Sequence, residues 1–270
     1  MTPDTGTAPV TGPSQPAADS GPWSPRRQAR RSLTGYLLLP ALLVVAGAAL
    51  YLYVRSQQLD SIEARSLNTE RLTESLLRHI QLTLVSTVLV VLIAVPVGVL
   101  LTRPRARRVR PVLLTLANIG QAVPTIGVLA LLAVAFLFLG FRAAVVGLVA
   151  YAVLPVVRNT MVGLQQVDES VLEAGRGMGL STRQVLLRIE MPLAVPIILA
   201  GVRTALIINV GTATLATFIN GGGLGDIIVA GLSTNRVLVQ VVGAGLTSLL
   251  ALLVDYLAGL AEDLLRPKGL

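Results

Sequence analysis

Six apolar runs, at roughly 33–54, 80–101, 112–139, 143–161, 196–218 and 236–258, set the terms for any fold this sequence adopts. Several are longer than the roughly 18 residues that cross a hydrocarbon core of about 30 Å. Lipid offers the backbone no hydrogen-bonding partner, so each run must satisfy its own N–H and C=O groups as a helix. Charged residues make up 13% of the 270 residues, against about 25% in a soluble domain. The expected fold class is therefore an all-α integral membrane protein with about six transmembrane helices.

The polar segments divide the chain. Residues 1–32 read as a disordered basic cytoplasmic tail: Pro, Gly, Thr, Ser and Ala dominate 1–24, and Arg26, Arg27, Arg30 and Arg31 follow. Residues 33–54 read as the first transmembrane helix. A cleaved signal peptide is the rival reading, since Ala46-Gly47-Ala48 resembles a cleavage site; the apolar run continues past it through Leu50, Leu52 and Val54, which favours an uncleaved helix. Residues 55–78 read as an external loop and 79–260 as a core containing a polar loop at 162–192. Residues 219–235 read as a flexible glycine-rich external turn, and 261–270 as a second cytoplasmic tail. The third run is interrupted by Asn118, Gln121 and Pro124. A proline removes a donor and kinks a helix, and a polar break at membrane depth must face protein or a water-filled path.

Orientation follows from the basic residues, 21 Arg and Lys268, which carry the net charge of +8. With the N-terminus inside, fifteen fall in inner segments and six in outer ones, the bias expected of cytoplasmic loops. Arg203 lies in the fifth span near its inner end, placed to snorkel. Both termini and the 162–192 loop are thus expected in the cytoplasm. The arginines sit between apolar runs, so the basicity serves topology and no nucleic-acid partner is implied. Without cysteine there is no disulfide and no thiol chemistry, and a single histidine, His79, leaves little scope for a metal or catalytic site. No GxxxxGK[ST] pattern occurs, so ATP binding is not expected on this chain. No catalytic residue and no cofactor are assigned.

The 162–192 loop reads as two short helices. Asp168 can cap the first, and the Gly177–Gly179 region ends it. Ser181 and Gln184 match a capping box opening the second. Val185, Leu186 and Ile189 give that helix an apolar face, with Pro192 just past its end. Such an element suits docking into a groove of another protein or lying on a lipid surface; the residues alone leave both open.

Here the sequence resembles a family. Glu173-Ala174-Gly175, three residues, Gly179, nine residues and Ile189-Glu190-Met191-Pro192 match the EAA motif of ABC importer permeases in spacing. Gly175 replaces the second Ala and Met191 replaces Leu. The resemblance covers about 75–258 and implies the type I ABC importer permease fold in a cell (plasma) membrane. It implies that Glu173, Ala174, Gly175, Gly179, Ile189 and Pro192 dock into a cleft on an ATP-binding subunit, with glycine at 179 allowing the tight reversal. It also implies a second permease subunit, identical or paralogous. A narrower resemblance, carried by Ala200-Gly201-Val202-Arg203-Thr204-Ala205, Asn209 to Ala216, Gly222 to Asp226 and the Gln121-Ala122-Val123-Pro124-Thr125 break, points to the osmoprotectant branch, whose cargo is glycine betaine, carnitine, choline or proline betaine. Methionine and other amino-acid importers share parts of it.

Quaternary ammonium ligands favour aromatic cages. Aromatic residues are 4% of this chain and its one Trp, Trp23, lies in the tail, so high-affinity capture is expected on a separate external substrate-binding protein. A low-affinity translocation path is expected along Asn118, Gln121, Thr125, Asn209, Thr212 and Thr214, each of which can instead join helix to helix. Two other classes compete. An ion-coupled secondary carrier places ionisable residues in the membrane; the one carboxylate within these spans is Asp255, near the inner end of the last, which reads as an interfacial charge. A passive anchor leaves the broken third span and the long loop unexplained.

Overall fold

A computed structural model describes residues 33–106 and 108–265. The basic tail expected at 1–32, and Arg107, Arg266 and Lys268 from the charge count, lie outside the described residues. Within them the chain is helical, with α1 (Leu33–Ser56), α2 (Ser61–Ser66), α3 (Thr69–Thr102), α4 (Arg110–Ala122), α5 (Thr125–Ala135) and α6 (Phe141–Gln165). There follow α7 (Glu169–Gly177), α8 (Thr182–Val185), a π turn (Leu186–Glu190), α9 (Met191–Thr212), a 3-10 stretch (Ala213–Ile219), α10 (Gly225–Ser233) and α11 (Val237–Leu265). Five of these helical stretches are long and apolar enough to cross a membrane, and six if α4 and α5 form one broken span.

The core is the trio α3, α6 and α9. Lipid tails are as apolar as leucine, so close packing by small residues must hold such helices together. A Cβ on Gly98 would lie 2.6 Å from Thr160 Cβ, and one on Gly201 would lie 2.6 Å from Asn159 Cβ. The middle of the trio is filled by Val90, Ala94, Ala152, Val156 and Ala205. A second cluster, Leu82, Leu129, Leu148, Ala216 and Ile219, joins α5 and the 3-10 stretch to it.

Three elements differ from the sequence reading. The polar stretch expected as a loop to residue 78 contains α2 and the first turns of α3. Asp60 caps α2 in a capping box with Glu63, and Asn68 Oδ1 accepts from Arg71 N at 2.7 Å to start α3. Second, α8 does not stop before Pro192. It runs through the π turn into α9, with Pro192 in the first turn of α9. Met191 N–H reaches back five residues to Leu186 O, and the widened turn accommodates a proline that can neither donate nor sit tightly over the preceding carbonyl. Third, 219–235 is an ordered turn followed by α10. Asn220, Gly222 and Gly223 take φ of 60°, 81° and 108°. Arg78 Nε donates to Gly221 O at 3.2 Å, and its guanidinium lies 4.3 Å from the Phe141 ring centroid. His79 is fully buried beneath the turn: Leu224 N–H donates to its Nδ1 (3.2 Å), so Nε2 carries the proton and donates to Val210 O (2.9 Å). A glycine-rich segment looks loose in sequence because the side chains that order it come from α3.

Candidate functional site

The polar loop forms a compact helical hairpin at the end of the molecule where α3, α6 and α11 terminate. Asp168 Oδ1 accepts from Ser170 N at 2.9 Å and caps α7, and that backbone bond holds its carboxyl below the usual carboxylate range. The reversal is a Schellman turn. Gly179 has φ +83°, Gly179 N–H donates to Arg176 O and Leu180 N–H to Gly175 O. Ser181 and Gln184 form the expected capping box. The two arms meet where Gly175 faces Ile189: a Cβ on Gly175 would lie 2.6 Å from Ile189 Cδ1 and 3.6 Å from Val185 Cγ2.

This packing turns the apolar face of α8 inward. Val185 is buried, and Leu186 and Ile189 are half-buried. The apolar surface left outward is elsewhere: Val171 and Ala174 on α7 and Met178 at its C-cap, at helical spacing, are exposed, with Leu187 in the π turn and Glu173 next to the stripe. Met178 is 75% exposed. Pro192 is also exposed. Among the six motif residues, then, Gly175, Gly179 and Ile189 shape the hairpin, while Glu173, Ala174 and Pro192 reach its surface.

One connection was not visible in the sequence. Arg103, just past the end of α3, grips Glu190 through both guanidinium nitrogens, at 2.6 and 3.2 Å. The Glu190 side chain is 6% exposed and that of Arg103 29%. A second ion pair gives Arg203 partners on another helix. Its guanidinium pairs with both carboxylate oxygens of Asp255 on α11, with Glu262 3.7 Å away. Asp255 is thus half of a buttress between α9 and α11. The pattern gave no signal for either pair, because the partners lie 87 and 52 residues apart.

The path candidates are dispersed. The α4–α5 pair bends by 89° where Val123 takes an extended ψ of 128° before Pro124. Asn118 Oδ1 accepts from Arg158, and Gln121 Nε2 donates to Tyr151 O at 3.1 Å, so both tie α4 to α6. Thr125 is buried at the start of α5. Asn209 is fully buried and donates to Thr87 Oγ1 on α3 at 3.0 Å. Thr212 and Thr214 donate to the nearby carbonyls of Ile208 and Gly211. No hydrogen bond among the described residues joins these six to one another. Among the described residues there is also no cluster of three potential metal ligands. A polar cleft of 670 Å³ opens at the opposite end from the hairpin, where Arg71, Glu74, Arg78 and Asp226 surround the glycine turn.

Residues 94–267 match the model of a family described as the binding-protein-dependent transport system inner membrane component. The chain is 40% identical over 192 residues to the choline transport system permease protein OpuBB of Bacillus subtilis, covering 71% of this chain and 87% of that one. It is 40% identical, with the same coverage, to the glycine betaine/carnitine/choline transport system permease protein OpuCB of the same organism. It is 36% identical over 208 residues to the osmoprotectant import permease protein OsmY of Salmonella typhimurium, covering 77% of this chain and 86% of that one. Among solved structures, the inward-facing MetNI methionine ABC transporter superposes with a TM-score of 0.64 at 24% identity, over 73% of this chain and 96% of that one. An amino acid ABC transporter superposes with a TM-score of 0.60 at 17% identity, over 77% of this chain and 99% of that one.

Proposed function

The chain belongs to the binding-protein-dependent transport system inner membrane components, the permeases of ABC importers, and on that premise we propose that its cargo is a quaternary-amine osmoprotectant. Glycine betaine, carnitine and choline are the candidates. The observation that carries this is the 36–40% identity to permeases named for those solutes, over 86–87% of their length. The likeness to methionine and amino-acid transporters, at 24% and 17% identity, supports the fold and not the cargo. An ion-coupled carrier has less support, because Asp255 already forms an ion pair with Arg203.

ATP is hydrolysed on a separate ATP-binding subunit that receives the α7–α8 hairpin. The exposed stripe Val171, Ala174 and Met178 supplies the apolar contact and Glu173 a charge beside it, the anatomy of a helix laid into a groove. Gly175 and Ile189 keep the hairpin rigid, so that motion of the ATPase is passed to α9 through the π turn. A second permease subunit completes the path, and an external binding protein delivers the solute. The hairpin end faces the cytoplasm, and the glycine-turn end faces outward.

The test is uptake of labelled glycine betaine, choline, carnitine and methionine by the complete complex in proteoliposomes, with its own binding protein and ATP inside. ATP-dependent uptake of at least one quaternary amine is expected. Uptake of methionine alone refutes the cargo and leaves the importer; uptake driven by an ion gradient without an ATPase refutes the assembly as well.

A further inference from the structure

The helix α1 is tied to α11 by hydrogen bonds near its start and by side-chain packing alone further along. Near its start, Tyr256 Oη donates to Tyr36 O at 3.1 Å and Tyr36 Oη donates to Asp263 at 3.0 Å, both from α11. About three-quarters of the way along it meets α11 over a glycine, with Leu50 Cδ2 3.1 Å from where a Cβ on Gly245 would lie. No residue of α1 from 36 to 56 is fully buried, and Leu43, Gly47, Leu50 and Val54 on the side toward α11 are half-buried. Between α1 and the α3–α11 pair runs a groove in two joined parts. One, of 550 Å³, is walled by Leu50, Val54, Leu72, Val242 and Leu246; the other, of 340 Å³, by Leu43, Leu76, Ile80 and Leu253. Leu246 and Leu249 belong to both.

From Leu43 to Arg55 the groove spans about 18 Å at the helical rise per residue, close to the ~15 Å depth of one leaflet, half of the hydrocarbon core. Its walls offer water almost no polar partner, and left empty they forfeit dispersion contacts along their whole length. An alkyl chain fits both the shape and the chemistry. The mouth is marked by charge. Among the described residues, Arg55 is the one charged residue lining either part. It stands at the helix end with Nε bonded to Tyr51 Oη at 3.0 Å and its guanidinium 5.5 Å from that ring centroid. The bond uses Nε alone, and an arginine fork suits a phosphate. The hydroxyl-bearing Thr69 and Thr73 line the same mouth. A second copy of the chain seated symmetrically on this face would bring no carboxylate from the described lining residues to meet Arg55.

We propose that this groove is a binding site for one anionic phospholipid, its acyl chain between α1 and the α3–α11 pair and its phosphate on Arg55. In the topology proposed above, the lipid belongs to the outer leaflet. It completes the packing of α1 along the face where the protein leaves its side chains at most half-buried.

The test uses the full chain in vesicles, with Trp23→Phe removing its native tryptophan and Leu246→Trp placing a reporter in the groove. Leu59→Trp, at the mouth, is an independent reporter, and Leu38→Trp, on the exposed side of α1, is the bulk-lipid control. Phosphatidylglycerol with brominated chains is titrated against brominated phosphatidylcholine. Half-quenching of both groove reporters is expected at a several-fold lower mole fraction of phosphatidylglycerol than for the control, and Arg55→Gln should remove that preference. Quenching equal to the control, or equal for the two lipids, overturns the site. So does a groove closed to both lipids with Leu43→Cys cross-linking between copies, which places a second subunit there.

Discussion

Gln121 Nε2 donates across 3.1 Å to the carbonyl of Tyr151, which Pro155, four residues on in α6, leaves without its helical N–H. The device recurs. Pro40 in α1 frees the carbonyl of Tyr36, and Tyr256 of α11 donates to it at 3.1 Å. At these two prolines the freed carbonyl is a socket that a polar side chain from a neighbouring helix fills.

That relationship predicts a coupling. Gln121→Ala should cost about 1 kcal/mol, the net worth of one such bond. In a Pro155→Ala background the Tyr151 carbonyl regains an N–H partner, and the same change should cost close to nothing. The two losses are read from denaturant titration in detergent micelles. Equal losses in both backgrounds would show that Gln121 acts elsewhere, including along the translocation path.

Arg103 and Glu190 give a second prediction. Removing either partner leaves a charge-assisted bond unmade in a half-buried place, a loss of about 2–3 kcal/mol. Arg103→Ala and Glu190→Ala should each lower thermal stability and loosen the hairpin, so that ATP hydrolysis continues while uptake per ATP falls. The exchange Arg103→Glu with Glu190→Arg should restore part of both. Unchanged coupling in both single variants would reduce the pair to a surface contact.

Within the hairpin, Glu173 and Gly179 should fail in different ways. Glu173 is exposed in the isolated chain, so Glu173→Ala should leave stability unchanged and weaken co-purification with the ATPase. Gly179 has φ +83°, where a β-branched side chain is strained by about 1–3 kcal/mol. Gly179→Val should therefore destabilise the turn as well as the complex. Normal uptake by both variants at equal expression would exclude the hairpin as the coupling element.

Apolar run length and the positions of Asn118 and Pro124 made the five long helices and the bent α4–α5 pair legible, because lipid leaves helices as the answer for such runs. Local rules also sufficed for the hairpin caps: Asp168, Gly179 and the Ser181–Gln184 box each act within a few residues. What local pattern cannot hold is a partner on another helix. Arg103 with Glu190, Arg203 with Asp255, and Arg78 and His79 under the glycine turn all depend on chain segments brought together by folding. The same limit applied to Asn209, whose polarity reads equally as path lining or as a bond to Thr87.

The topology is open to a direct test, because a chain without cysteine allows single-cysteine labelling with no background. The reporter sites must be exposed and unstrained. Ser170 on the hairpin and Thr234 after α10 satisfy this. Gly225 does not, since a Cβ there would sit 2.0 Å from Thr214 O. With fifteen basic residues assigned to inner segments and six to outer ones, the hairpin end should be retained inside. A membrane-impermeant maleimide added to intact cells should label Thr234→Cys and spare Ser170→Cys, and permeabilisation should make the two equal. Labelling of Ser170→Cys alone in intact cells would invert the molecule. The hairpin would then be out of reach of any ATPase, and the coupling role given to Glu173 would fall with it.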